Sequence, residues 1–282
     1  MTDRYAIRPM TRDELAIALD WAAAEGWNPG LHDAPCFHAA DPGGFLLGLL
    51  DGEPAATISV VKYGPSFGFL GFYIVKPGLR GRGLGLRIWQ AGMASLAGRV
   101  VGLDGVPAQQ ENYRKSGFSL AWRNIRQEGF GTDATVSDKR LVRLSEVPLA
   151  TLDAYDRRFF PAGRTAFLDC WVRQPGCAAL GLLEQGRLAG YAVMRPCRVG
   201  RKIGPLFADN ADVAETLMNA LRAIAGPGEK IYLDTPQDNA DAVALAHRHG
   251  MSAVFETARM YTGPAAPVPH AGVYGITSFE LG

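Results

Sequence analysis

Six consecutive residues, Arg80-Gly81-Arg82-Gly83-Leu84-Gly85, have the types and spacing to hold a pyrophosphate. They stand between an apolar run ending in Ile74-Val75 and an amphipathic stretch over 84–97, so they open a helix directly after a strand. The N–H groups at a helix start have no intrahelical partners and carry the positive end of the helix dipole, which suits an anion. Glycines at 81, 83 and 85 let anion oxygens reach the main chain, and Arg80 and Arg82 add charge-assisted donors. The spacing is not the dinucleotide fingerprint, which needs glycine where Leu86 stands, nor a P-loop, since no Gly-Lys-Ser/Thr follows. The competing reading is a glycine-rich turn with solvated arginines. A second candidate is Tyr113, four residues before Gly117-Phe118; a tyrosine so placed either packs or supplies a proton.

A repeat shows how these residues are positioned. Residues 42–61, PGGFLLGLLDGEPAATISVV, match residues 175–194, PGCAALGLLEQGRLAGYAVM, at eight of twenty positions without a gap. The offset, 175 − 42 = 133, returns where Gly71 falls on Gly204 and Gly117 on Gly250. The chain therefore reads as two copies of one unit, 1–130 and 141–282, joined by the polar, glycine-containing 129–140. Each copy begins with a helix (12–26; 148–160). Two strands follow, about a turn at Asp51-Gly52 or Gln185-Gly186, and then a third strand (67–75; 202–208). An amphipathic helix (84–97; 211–225), a strand, a short helix and a final strand complete the order. Hairpins with one parallel crossover predict the α/β (α+β) class, each copy a mixed, mostly antiparallel sheet flanked by helices. The terminal GVYGITSFELG alternates like a strand that completes a sheet or lines the cleft.

The repeat also weighs the two candidates. Position 113 + 133 is Ala246, and residues 80–85 fall on Val213-Ala214-Glu215-Thr216-Leu217-Met218. That second segment has no glycine, and Glu215 would repel a phosphate. A turn required only for folding would survive in both copies. Loop and tyrosine are lost together, which points to one ligand site, in the first copy only.

With Pro77 upstream, Arg80 to Gly85 resemble the phosphate-loop pattern Gln/Arg-x-x-Gly-x-Gly/Ala of the GNAT superfamily of acetyl-CoA-dependent N-acetyltransferases. Tyr113 with Gly117-Phe118 resembles that family's second pattern. The resemblance covers the whole first copy; the second resembles the fold but not the site. It implies two tandem GNAT folds and an acyltransferase with acetyl-CoA as co-substrate. The pyrophosphate would rest on 80–85 and the pantetheine would pair with a split strand at Ile74 and Val75. A neutral amine would attack the thioester directly, a main-chain N–H near Val75 would hold the oxyanion, and Tyr113 would serve the leaving thiolate. In this family the connection between the first two helices shapes the acceptor pocket, which implicates Trp27, Asn28, His32, Asp33, Phe37 and His38. The family's frequent Glu is missing from 69–75, so the base is sought at Asp104, His32, Asp33 or a water chain. A non-catalytic CoA-binding or sensory module, and an interaction protein with an empty site, stand as alternatives.

Composition bounds the partners. Lys+Arg 29 against Asp+Glu 28 leaves a net charge of +1, so no global field recruits nucleic acid or an anionic membrane. No apolar run reaches the ~18 residues of a membrane span, and the first residues lack an apolar signal core, which predicts a cytoplasmic protein. Cys36, Cys170, Cys177 and Cys197 show no CxxC pair or zinc spacing and are expected as free or buried thiols. No metal site is expected, since His247 and His249 do not share a helix face. The expected acceptor is a small-molecule amine rather than a protein, and the expected state a monomer or homodimer.

Overall fold

The computed structural model describes residues 4–265 and 267–282. The first copy contributes β1 (Tyr5–Pro9), α1 (Leu15–Ala24), α2 (Asp33–Ala40), β2 (Phe45–Leu50), β3 (Glu53–Tyr63) and β4 (Phe67–Val75). It continues with α3 (Leu84–Ser95), β5 (Val100–Gly105), α4 (Gln110–Lys115) and β6 (Ser119–Phe130). The second contributes β7 (Leu141–Arg143), α5 (Leu149–Asp156), α6 (Thr165–Trp171), β8 (Ala178–Glu184), β9 (Arg187–Pro196) and β10 (Arg201–Ala208). After these come α7 (Ala211–Ala225), β11 (Lys230–Pro236), α8 (Ala240–Arg248), β12 (Ser252–Tyr261) and β13 (Val273–Gly275). Asp51-Gly52 and Gln185-Gly186 make the hairpin turns, all four residues at positive φ, as a two-residue loop matched to strand twist requires.

All of these strands join one mixed, mostly antiparallel sheet in the order β1-β2-β3-β4-β5-β12-β6-β11-β10-β9-β8-β7, with β13 beside β10. The centre of that order is an exchange. β6 and β12 hold the same place in the two copies, 119 + 133 = 252, yet β12 pairs with the first copy's β5 and β6 with the second copy's β11. The exchanged strands also pair with each other, from Ser119↔Tyr261 to Glu128↔Ser252. Their buried polar residues fix the register. Arg126 on β6 donates to both carboxylate oxygens of Asp234 on β11 at 2.8 Å, and Arg259 on β12 donates to Asp104 on β5. Slipping either strand by one residue would turn these charges to the wrong face and leave them unpaired.

β4 and β5 run parallel only from Phe67–Leu70 against Val100–Leu103, and then part. β10 and β11 part in the same way after Ile203 and Leu233. In the second copy the gap is filled by the chain itself. β13 pairs with β10 at Leu206 and Phe207, and the Ile276 N–H donates to the Asp234 carbonyl at 3.0 Å.

One apolar core spans both copies, with Phe37 of α2 stacked on Trp171 of α6 at 5.9 Å. Beside that stack Cys36 and Cys170 form a disulfide, so the free-thiol expectation holds only for Cys177 and Cys197. The two cysteines stand 134 residues apart, and only the packing of α2 on α6 brings them together. Among the described residues no helix is long and apolar enough to cross a membrane.

Candidate active site

The gap between β4 and β5 opens into a cleft of about 470 Å³. Its outer end is the loop 76–83 and the first turn of α3. Gly81 and Gly83 sit at φ +80° and +77°, the left-handed region that a side chain disfavours, with no atom within 4 Å of where a Cβ would stand. Gly83 is the N-cap of α3, and no side chain caps that helix, so its first N–H groups face the loop unmet by a side chain. The second copy is built the other way. Its strand-to-helix connection is only residues 209–210, and Asn210 caps α7 by accepting from the Val213 N–H at 3.0 Å. Gly85 is needed for closeness: a Cβ there would lie 2.8 Å from the Tyr73 hydroxyl. Leu84 is buried beneath the loop, and Arg82 is exposed. Arg80 donates to the Val75 carbonyl at 3.0 Å and pairs with Glu25 across the mouth.

The open strand is irregular where it matters. Phe72 takes φ +45° and β4 bulges against β3 between Thr57 and Ser59, with the Thr57 hydroxyl donating to the Phe72 carbonyl at 2.8 Å. Beyond the bulge the Lys76 N–H donates to Ala55. Ladder alternation then turns the Val75 amide and carbonyl toward the cleft and those of Ile74 toward β3. Of the two residues expected to pair with a ligand, Val75 turns its N–H to the cleft, with its carbonyl already accepting from Arg80, and Ile74 turns neither group there.

Tyr113 lines the cleft from α4, its ring stacked on Trp89 at 5.6 Å. Gly105 makes room for it, since a Cβ there would stand 2.3 Å from the ring. Burial pushes the Tyr113 hydroxyl up to about 12, so it keeps its proton at neutral pH.

Residues 12–118 match the acetyltransferase (GNAT) family, and residues 152–275 match an acetyltransferase (GNAT) domain. A holothin acyltransferase from Pseudoalteromonas sp. (strain SANK 73390) is 30% identical over 278 residues, covering 99% of this chain and 95% of that protein. The chain belongs to the GNAT family. The fold agrees along its whole length. A putative acetyltransferase from Pyrococcus horikoshii superposes with a TM-score of 0.83 at 21% identity, covering 99% of this chain and 96% of that one. A tandem GNAT protein from the clavulanic acid biosynthesis pathway superposes at 0.62 with 12% identity, over 93% and 100% of the two chains. The protein is thus a GNAT acyltransferase with two GNAT domains in one chain.

The residues that the sequence suggested for an acceptor are divided by this GNAT cleft. Trp27 and Asp104 line it; Asn28, His32, Asp33, Phe37 and His38 do not. Phe37 is core, and Asp33 is fully buried in an ion pair with Arg195 of β9. The Asn28 amide donates to and accepts from the main chain of Val199, tying the two copies together. Asp104 receives Arg259 at 2.9 and 2.6 Å, Asn124 at 2.7 Å and Thr257 at 3.3 Å. Oδ1 takes three of these donors and Oδ2 takes one, so the carboxylate is committed to a buried ion pair with Arg259. Asp104→Asn should strand the Arg259 charge and cost about 3–5 kcal/mol, read as a lowered melting temperature.

Four lining residues that sequence reasoning did not name, Phe255, Thr257, Phe279 and Glu280, come from the second copy. The one signal, for Phe279 and Glu280, was the alternation of the terminal segment; Phe255 and Thr257 lie on β12. Among the described residues no cluster of His, Cys, Asp or Glu could hold a metal.

Proposed function

We propose that the protein is an acetyl-CoA-dependent N-acetyltransferase with one working site, in the first copy, acting on a small-molecule amine. The observation that carries this reading is the contrast between two halves of one fold. The first has an open strand gap, left-handed glycines and a helix start without a side-chain cap; the second has its gap filled by β13 and its helix capped by Asn210. The pyrophosphate would meet the N–H groups of 81–85, and the pantetheine amides would meet Val75. Acetyl-CoA brings the activated acyl carbon. The acceptor nitrogen attacks it, forming the C–N bond as the C–S bond breaks. A main-chain N–H near Val75 would hold the oxyanion. Tyr113, protonated at neutral pH, gives its proton to the leaving thiolate. The likeness to a holothin acyltransferase and the match to the GNAT family support the same class of reaction, acyl transfer.

Tyr113→Phe tests the mechanism. It should lower kcat by about 10²–10⁴-fold and leave CoA affinity unchanged in calorimetry. An unchanged rate for a chemistry-limited turnover would remove the hydroxyl from the reaction. A protein that binds acetyl-CoA but transfers acetyl to no amine would be a sensory module instead.

A further inference from the structure

We infer that Glu280 is the carboxylate that takes the proton from the acceptor amine, and that the acceptor is a small amine on an apolar, ring-bearing body. The inference rests on the acyl-transfer reading above and names the base and acceptor class of that site. Three carboxylates line the cleft: Glu25, Asp104 and Glu280. Glu25 is engaged by Arg80 at the mouth, and Asp104 is ion-paired with Arg259 and accepts from Asn124 and Thr257. Glu280 is only 2% exposed, and neither of its carboxylate oxygens has a hydrogen-bond partner among the described residues. A buried carboxylate without a donor is a costly arrangement, and a protein keeps one where a ligand will meet it. Of the cations electrostatically coupled to it, Arg126 donates to Asp234 and Lys202 to the Asn28 carbonyl, while Arg195 gives its Nε–H to Asp33 and keeps Nη1 and Nη2 buried without a partner among the described residues.

Its position is as telling as its state. The Glu280 main chain presses on Gly71, where a Cβ would stand 2.4 Å from the Glu280 carbonyl oxygen. Gly71 is the first residue of β4 beyond the last parallel pair, Leu70↔Leu103. Glu280 therefore sits at the point of the gap, inward of Val75 and the glycine loop. Of the six aromatic residues that line the cleft with it, four carry no hydroxyl, Trp27, Phe72, Phe255 and Phe279, the last two with ring centroids 6.0 Å apart. One unpaired carboxylate among rings suits one amino group on an apolar body. A polycation would bring charges that this wall cannot match. In the step itself the nitrogen lone pair forms the C–N bond and the nitrogen proton passes to Glu280. The C–S bond breaks, the thiolate takes the Tyr113 proton, and solvent returns a proton from Glu280 to Tyr113. The second copy, without a CoA site of its own, thereby supplies a catalytic group to the first.

The test uses the full chain, acetyl-CoA, and 2-phenylethylamine, tryptamine and spermidine as probe acceptors, with thiol release as the readout. The ring-bearing amines should exceed spermidine in kcat/KM by about tenfold or more, and Glu280→Gln should lower kcat with them by about 10²–10⁴-fold. CoA affinity and melting temperature should hold in that variant, and Glu280→Asp should restore part of the rate. A Glu280→Gln rate within about twofold of the parent overturns the role of the carboxylate, as does a variant that has lost its fold or its CoA affinity. Preference for spermidine, or no transfer to either ring-bearing amine, overturns the acceptor class. A parent that binds no acetyl-CoA brings down the acyl-transfer reading itself; a parent that transfers acetyl regardless of Glu280 leaves that reading standing.

Discussion

A chain ended at Lys139 should aggregate and show no acetyl transfer. Without residues 140–282, β5 loses β12, and β6 loses both of its neighbours. Bare edges of this kind recruit other chains. Arg126 would lose Asp234 and Asp104 would lose Arg259, stranding two buried charges at about 3–5 kcal/mol each, against a typical domain stability of about 5–15 kcal/mol. The cleft would also lose Phe255, Thr257, Phe279 and Glu280. Expression of the fragment, followed by size-exclusion chromatography and a thiol-release assay, checks the point. A soluble monomer with the parent kcat/KM would mean that the strand exchange is dispensable.

Gly83→Glu should weaken CoA binding by about 100-fold or more, equal to about 2.7 kcal/mol. Two effects act together. The backbone at φ +77° disfavours any side chain, and a carboxylate would stand where the pyrophosphate is drawn to the α3 N–H groups. Gly83→Ala isolates the backbone effect and should cost far less. The matching change in the second copy, Thr216→Glu, lies within α7 and should leave affinity unchanged. Equal losses from Gly83→Ala and Gly83→Glu would remove the electrostatic part of the argument.

The sequence was most legible where local chemistry dictates the backbone. Asp51-Gly52 and Gln185-Gly186 set the hairpins, the glycines of 80–85 set the loop, and the offset of 133 exposed the second copy. β1, α2, β7 and α6 were not anticipated; they are short or sit in segments with weak periodicity. The strand exchange was not legible at all. β6 and β12 read the same whether each pairs within its own copy or across, because a strand's pattern fixes which face is buried and not which neighbour it has. The surroundings of Asp33 and Asn28 were not legible for a related reason. Asp33 and Asn28 are polar residues on a plausible loop, but their partners, Arg195 and Val199, lie more than 160 residues away and draw them into the contact between copies. Glu280 belongs to a terminal segment whose path across the first copy depends on where β13 docks.

The most direct test of the account is the number of acetyl-CoA molecules that one chain binds, counted by isothermal titration calorimetry on the full-length protein. The gap between β4 and β5 is open, and the gap between β10 and β11 is filled by β13. One site per chain is expected, lost in Gly83→Glu and kept in Thr216→Glu. Two sites per chain, or a single site that survives Gly83→Glu, would contradict it.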